Sequence, residues 1–269
     1  MRSRRPQRAS NNTPITTNYN NENKSDSNMN NIVHGLWIGE ELPPLAILTI
    51  RSFIRHGATF KLWTYNDIKN VPIECSVEDG RSILPESGVF SYTEGKAAGS
   101  VAGFSDIFRA KLLYEHGGWW TDMDVTLMQP LESITDQEYL FRKHWNNICV
   151  GNLMKVPKGS QVMKTYFDIV SIQVNEKNQD WEKPIRLLGL TMSLAGLNTD
   201  IYNKELGHRD QGLTHAMPFM MIPEIRIPSS WPIMHWCNEL HRWQNFKMKR
   251  DLHPESQLAE LFREYNITI

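Results

Sequence analysis

Asp122 and Asp124 stand one residue apart at the end of the run FSDIFRAKLLYEHGGWWTDMDV, residues 104–125. On an extended segment, side chains at i and i+2 project to one side, so the two carboxylates are expected to face together. Two hard oxygen ligands on one side suit Mg²⁺ or Mn²⁺, cations that keep several waters and bridge to substrate phosphates. The pair therefore fits holding a nucleoside diphosphate better than caging a structural metal. Asp106 and Arg109 precede it at the spacing of helix neighbours. The carboxylate suits a ribose or sugar hydroxyl, and the guanidinium suits a phosphate or sugar oxygen. Taken singly, each pair has an ordinary reading. A D-x-D sits in many solvated loops, and Asp-x-x-Arg is commonly a surface ion pair. The order of the whole string carries the information.

The elements that must position these groups are legible on either side. Phe104, Ile107, Phe108 and Leu112 fall at i, i+3, i+4 and i+8, which makes one apolar helix face. Gly117 and Gly118 end that helix, because glycine accepts the left-handed cap conformation. Trp119, Trp120 and Thr121 then favour a strand. Upstream, NIVHGLWIGEELP (residues 31–43) reads as a buried first strand with Gly39 opening a turn. A helical stretch over 45–55 and a second strand over 60–65 complete a β-α-β beginning, as a Rossmann-like nucleotide domain requires.

The string SDIFRAKLLYEHGGWWTDMDV resembles the core of glycosyltransferases with a DXD sugar-binding region. That family includes initiating mannosyltransferases, α-1,4-galactosyltransferases and bacterial capsule enzymes. The catalytic domains of the clostridial glucosylating toxins are more distant relatives. The resemblance implies an α/β GT-A fold with a Rossmann-like half and a mixed central sheet. It also implies a UDP-sugar donor, Mn²⁺ or Mg²⁺, and retention of anomeric configuration. Carried over residue by residue, Trp37 packs on the uracil base with Ile38 beside it. Asp106 orients ribose or sugar, and Arg109 adds positive charge. Asp122 binds donor and metal, and Asp124 holds metal at the reacting centre. Asn152 lines the sugar or acceptor site. His235 and Asn238, in the block MHWCNELHR, complete the metal set. The block departs from the family's pattern: its aromatic is Trp236, and the next position holds Cys237. Residues 187–197 depart too, keeping Gly189 and Thr191 but not the family's proline.

The remainder of the chain bounds these expectations. At 269 residues one sizeable domain is the default, and a net charge of −1 gives no field that draws nucleic acid. Three scattered cysteines fit neither a disulfide framework nor a zinc site, and suggest a reducing compartment. Residues 1–30, rich in Asn, Ser and charge, are expected to be a disordered tail. A single catalytic domain over 31–269 follows, with a donor half at about 31–130 and an acceptor half at about 131–269. Residues 79–103 are expected to loop over the donor site, bringing Lys96 toward the diphosphate. Residues 161–174 and 258–265 read as helices. No apolar run of membrane-spanning length is present. A cytoplasmic microbial or viral enzyme, or one module of a larger glycosyltransferase, is expected, with peripheral membrane contact left open. Its acceptor is expected to be a glycan or glycolipid. Two alternatives stay open: an effector that glycosylates a protein, and an inactive nucleotide-sugar binding module. A two-metal nuclease or phosphatase needs further acidic ligands beside the pair, and the local sequence offers none.

Overall fold

The computed structural model describes residues 31–143, 149–197, 203–204, 206–207, 216–239 and 245–269. The expected tail over 1–30 lies outside the described residues. Strand β1 (Ile32–Trp37) is followed by helix α1 (Pro44–Arg55) and strand β2 (Thr59–Thr64). β1 and β2 pair in parallel, Ile32 opposite Thr59 through Trp37 opposite Thr64, so the β-α-β opening is present. Helix α1 starts with Pro44, which suits a first-turn position whose N–H has no intrahelical partner.

Strand β3 (Ser76–Asp79) then pairs in parallel with β2. No alternation announces it, and its side chains are mostly exposed: backbone pairing along Lys61–Thr64 makes it a strand. Two short 3₁₀ turns (Gly80–Ser82 and Glu86–Gly88) lead to helix α2 (Ala102–His116). Gly117, at φ 69°, stops α2 and turns the chain into β4 (Gly118–Thr121). A Cβ there would lie 2.4 Å from the backbone nitrogen of Lys158, so only glycine fits without a shift.

β5 (Val125–Leu127), β6 (Leu140–Lys143) and β7 (Cys149–Val156) follow, then helices α3 (Gln161–Gln173) and α4 (Lys183–Leu194). Beyond them come β8 (Asn203–Lys204), α5 (Pro218–Met221), β9 (Ile233–His235), α6 (Met248–Asp251) and α7 (Gln257–Glu264). Seven strands form one mixed sheet in the order β3-β2-β1-β4-β7-β6-β8, with β7 antiparallel to both β4 and β6. β5 and β9 form a separate antiparallel pair.

Successive strand residues face opposite sides of a sheet, and the two adjacent tryptophans of β4 show it. Trp119 packs in the cluster of α1 with Phe53 and Phe60, while Trp120 packs in the cluster of α2 with Phe104 and Phe108. Both are almost wholly buried. The sheet is thus covered on both faces. No helix among the described residues is long and apolar enough to cross a membrane.

Candidate active site

β1 is the point where strand order reverses: the chain steps to β2 and β3 on one side and returns through α2 to β4 on the other. In open α/β sheets such a reversal leaves a crevice beyond the carboxyl ends of the parallel strands. A cavity of about 590 Å³ lies there. Trp37, Ile38, Asp106, Arg109, Asp122, Asp124, Asn152, His235 and Asn238 all line it. Residues scattered over most of the sequence are thereby brought to one place.

The carboxylate pair does not sit on a strand. β4 ends at Thr121, and Asp122, Met123 and Asp124 form a turn before Val125 opens β5. Met123 points into the core beside α1, and the carboxylates reach the cavity on either side of it. The Asp122 N–H donates to the carbonyl of Asn152 at 2.8 Å, tying the turn to β7. The Trp236 N–H donates to the carbonyl of Asp124 at 2.9 Å, tying its far end to β9. The turn geometry replaces strand alternation as the reason both groups face the cavity.

Arg109 joins the helix to the turn. It is buried, with an ion pair to Asp106 one helical turn back. Its Nη1 donates to Asp122 Oδ1 at 3.1 Å and to the Gly151 carbonyl at 2.8 Å. Much of the guanidinium is therefore spent on holding two carboxylates and β7, while Nε, also buried, finds no hydrogen-bond partner. Asp122 Oδ1 also accepts from the indole Nε1 of Trp120 at 2.8 Å. Burial pushes the Asp122 carboxyl above the ordinary carboxylate range; Arg109 opposes this, Asp124 reinforces it, and Trp120 and His235 oppose it.

The C-terminal block closes the other side. Val125 pairs with His235 across β5 and β9, which puts His235 beside the carboxylate turn. Its Nε2 lies 3.3 Å from Asp124 Oδ1, and its Nδ1 lies 3.0 Å from Asn152 Nδ2. The Asn238 backbone N–H donates to Asp124 Oδ2 at 2.7 Å. Trp236, the departure from the family's pattern, is a core residue: it is fully buried and donates from Nε1 to Thr126 Oγ1 at 2.8 Å. Cys237, at φ 54°, makes the bend that lets His235 and Asn238 reach the same carboxylate.

Other expectations meet the structure unevenly. Lys96 lines the cavity, as do Ser100, Val101 and Ala102 from the same loop. His34 faces away from the site: its Nδ1 accepts from Trp63 Nε1 at 3.0 Å inside the sheet. Thr191 is buried in α4 and bonds the Leu187 carbonyl, so the cavity is reached instead by Trp181, Glu182 and Ile185 at the start of that helix. Those three carried no motif, and only the fold brings them here; Glu239, next to Asn238 in the block MHWCNELHR, lines the cavity as well.

The residues present fit a divalent cation. Asp122 Oδ1 is saturated by two donors, and among the described residues no donor reaches Oδ2. No closed group of three or more ligating side chains exists among the described residues. An open pair of carboxylates is what a cation shared with substrate phosphates needs.

Residues 84–141 match the family described as a glycosyltransferase sugar-binding region containing a DXD motif. The matched segment contains α2, β4 and the carboxylate turn. No curated protein matches the chain. Many solved structures are similar, and two glycosyltransferases are among them. One is the PaToxG glycosyltransferase, with 11% identity over 88% of this chain and 85% of its own and a TM-score of 0.46. The other is the glycosyltransferase GlyE of Streptococcus pneumoniae TIGR4, with 14% identity over 90% of this chain and a TM-score of 0.48. The match spans 61% of GlyE's length. Residues 84–141 are thus similar to a glycosyltransferase sugar-binding region with a DXD motif, and they lie within a mixed α/β sheet domain.

Proposed function

We propose that this protein is a glycosyltransferase that moves a hexose, galactose or glucose, from a UDP-sugar to a hydroxyl of a glycan or glycolipid. The transfer uses Mn²⁺ or Mg²⁺ and retains anomeric configuration. The observation that carries the reading is the convergence of Asp122 and Asp124 with Trp37, Ile38 and Asp106 on one cavity at the strand reversal.

Trp37 offers its ring face to the base, a contact that needs only an aromatic surface. Asp106, held by Arg109, accepts from a ribose or sugar hydroxyl. Asp122 and Asp124 would hold the cation, with His235 and Asn238 fixing Asp124 or contributing to the same set. When bound, the cation neutralises the charge that grows on the departing diphosphate. Arg109 keeps Asp122 in place as that charge develops. Lys96 stands on the cavity wall as a further positive group. Trp181, Glu182, Ile185 and Glu239 form the acceptor side. Retention rests on the family resemblance.

Release of UDP from UDP-glucose, UDP-galactose, UDP-N-acetylglucosamine and UDP-xylose, with GDP-mannose alongside, tests the reading. Metal-dependent hydrolysis of one UDP-sugar, abolished by chelator, is expected. Hydrolysis that ignores chelator would remove the metal from the account, and release from GDP-mannose alone would remove the uridine.

A further inference from the structure

The geometry points to Trp120 as a positioning residue for the donor's cation. It deepens the reading of a metal-dependent donor site and rests on it. Trp120 is 1% exposed and packs between α2 and the sheet, so its ring cannot swing. Its Nε1–H donates to Asp122 Oδ1 at 2.8 Å, and Arg109 Nη1 donates to the same oxygen at 3.1 Å. The Arg109 Cζ stands 5.9 Å from the centre of the Trp120 ring. Two donors on rigid supports therefore fix one carboxylate oxygen, and the carboxyl plane can no longer rotate. Asp122 lines the cavity, and its other oxygen, Oδ2, is the one left for a ligand.

The arrangement has a chemical consequence. A carboxylate free to rotate can offer a cation one oxygen or two, and it loses rotational freedom on binding. Here that freedom is already spent in folding, so the cation meets a pre-set oxygen. Loss of an outer group that orients a ligand in this way typically costs about 10- to 100-fold in metal affinity. An aromatic without a ring N–H would fill the same space and leave the carboxyl held by Arg109 alone. Part of Trp120 borders the cavity, and its effect on the cation is exerted through Asp122.

Trp120→Phe removes the N–H and keeps most of the ring. Trp63→Phe is the control, since it deletes another buried indole bond, to His34, away from the cavity. Binding of Mn²⁺ with UDP is measured by calorimetry for both variants and the parent protein, with thermal unfolding alongside. The expected result is Mn²⁺ binding weakened roughly tenfold in Trp120→Phe, with Trp63→Phe close to the parent. Turnover of donor should follow suit, with the Mn²⁺ requirement raised and the rate at saturating Mn²⁺ largely kept. Parent-like affinity in Trp120→Phe, or equal loss in both variants, overturns the inference and leaves the donor-site reading standing. No Mn²⁺ and UDP binding by the parent protein overturns both. If Trp120→Phe does not fold, the indole ¹H–¹⁵N resonances of the parent decide. Mg²⁺ with UDP should move the Trp120 signal and not the Trp63 signal, and an unmoved Trp120 signal overturns the inference.

Discussion

His235 and Asp124 are held against each other, Nε2 to Oδ1 at 3.3 Å, by the pairing of β9 with β5. The imidazole's other nitrogen is engaged by Asn152 at 3.0 Å, so the ring has one orientation. Such a ring either orients the carboxylate for a cation or joins it as a ligand. In both cases His235→Ala should raise the Mn²⁺ concentration for half-maximal donor hydrolysis by about 10- to 100-fold. A metal titration of hydrolysis checks this, and an unchanged midpoint would detach His235 from the site.

Gly151 leaves room for the Arg109 guanidinium. A Cβ at that position would stand 2.7 Å from Arg109 Cζ and 2.8 Å from Met154 Cε. Gly151→Ala should push the guanidinium off Asp122 and cost about 1–3 kcal/mol of stability. Chemical denaturation and donor turnover should both fall. Turnover intact at reduced stability would mean that the Arg109 contacts support the fold and not the site.

Trp37 keeps its Nε1 bonded to the Glu41 carbonyl at 2.9 Å, which sets the ring angle at the cavity edge. Base stacking is worth about 1–3 kcal/mol by alanine substitution. Trp37→Ala should therefore weaken UDP binding by roughly tenfold or more, while Trp37→Phe should recover most of it. Fluorescence titration with UDP would show the difference, and equal affinity for both variants would move the base elsewhere.

The sequence and the structure agree most closely where local patterns and backbone chemistry coincide. The apolar face at Phe104, Ile107, Phe108 and Leu112 and the glycine stop at Gly117 mark α2 within a few residues of its bounds. The opening β-α-β unit was equally readable, because β1 and β2 are buried apolar runs. β3 was not, because its polar residues owe their strand to a neighbour's backbone. The carboxylate motif was readable as a pair but not as a turn, since the bend depends on Met123 burying itself and on bonds to residues 152 and 236. Trp236 belongs to the core because Thr126, 110 residues away in sequence, accepts its indole N–H, a partner that no local pattern encodes. Trp181, Glu182 and Ile185 reach the cavity through the packing of α4, which no local spacing encodes.

His34 gives the fold a pH dependence of known sign. Burial first, then the charges of His116 and Lys61, lower its pKa from 6.5 to about 3, against a backbone bond at Gly117 that raises it. The folded state thus holds His34 neutral where the unfolded chain begins to protonate it. Its contribution is complete above pH 6.5 and is lost as pH falls toward 3. The loss should reach about 2 kcal/mol by pH 5. In His34→Gln, which does not titrate, the fall in stability between pH 7 and pH 5 should be smaller by about that amount. Denaturation midpoints at the two pH values check it, and identical pH slopes in both proteins would contradict the burial of a neutral ring.

The most direct test of the central claim is calorimetric binding of UDP with Mn²⁺ and with chelator, in the parent protein and in Asp122→Asn/Asp124→Asn. The account predicts Mn²⁺-dependent binding by the parent and its loss in the double variant, with both proteins folded. UDP binding that survives the double substitution, or that chelator leaves untouched, would contradict a cation held by the two carboxylates of the turn.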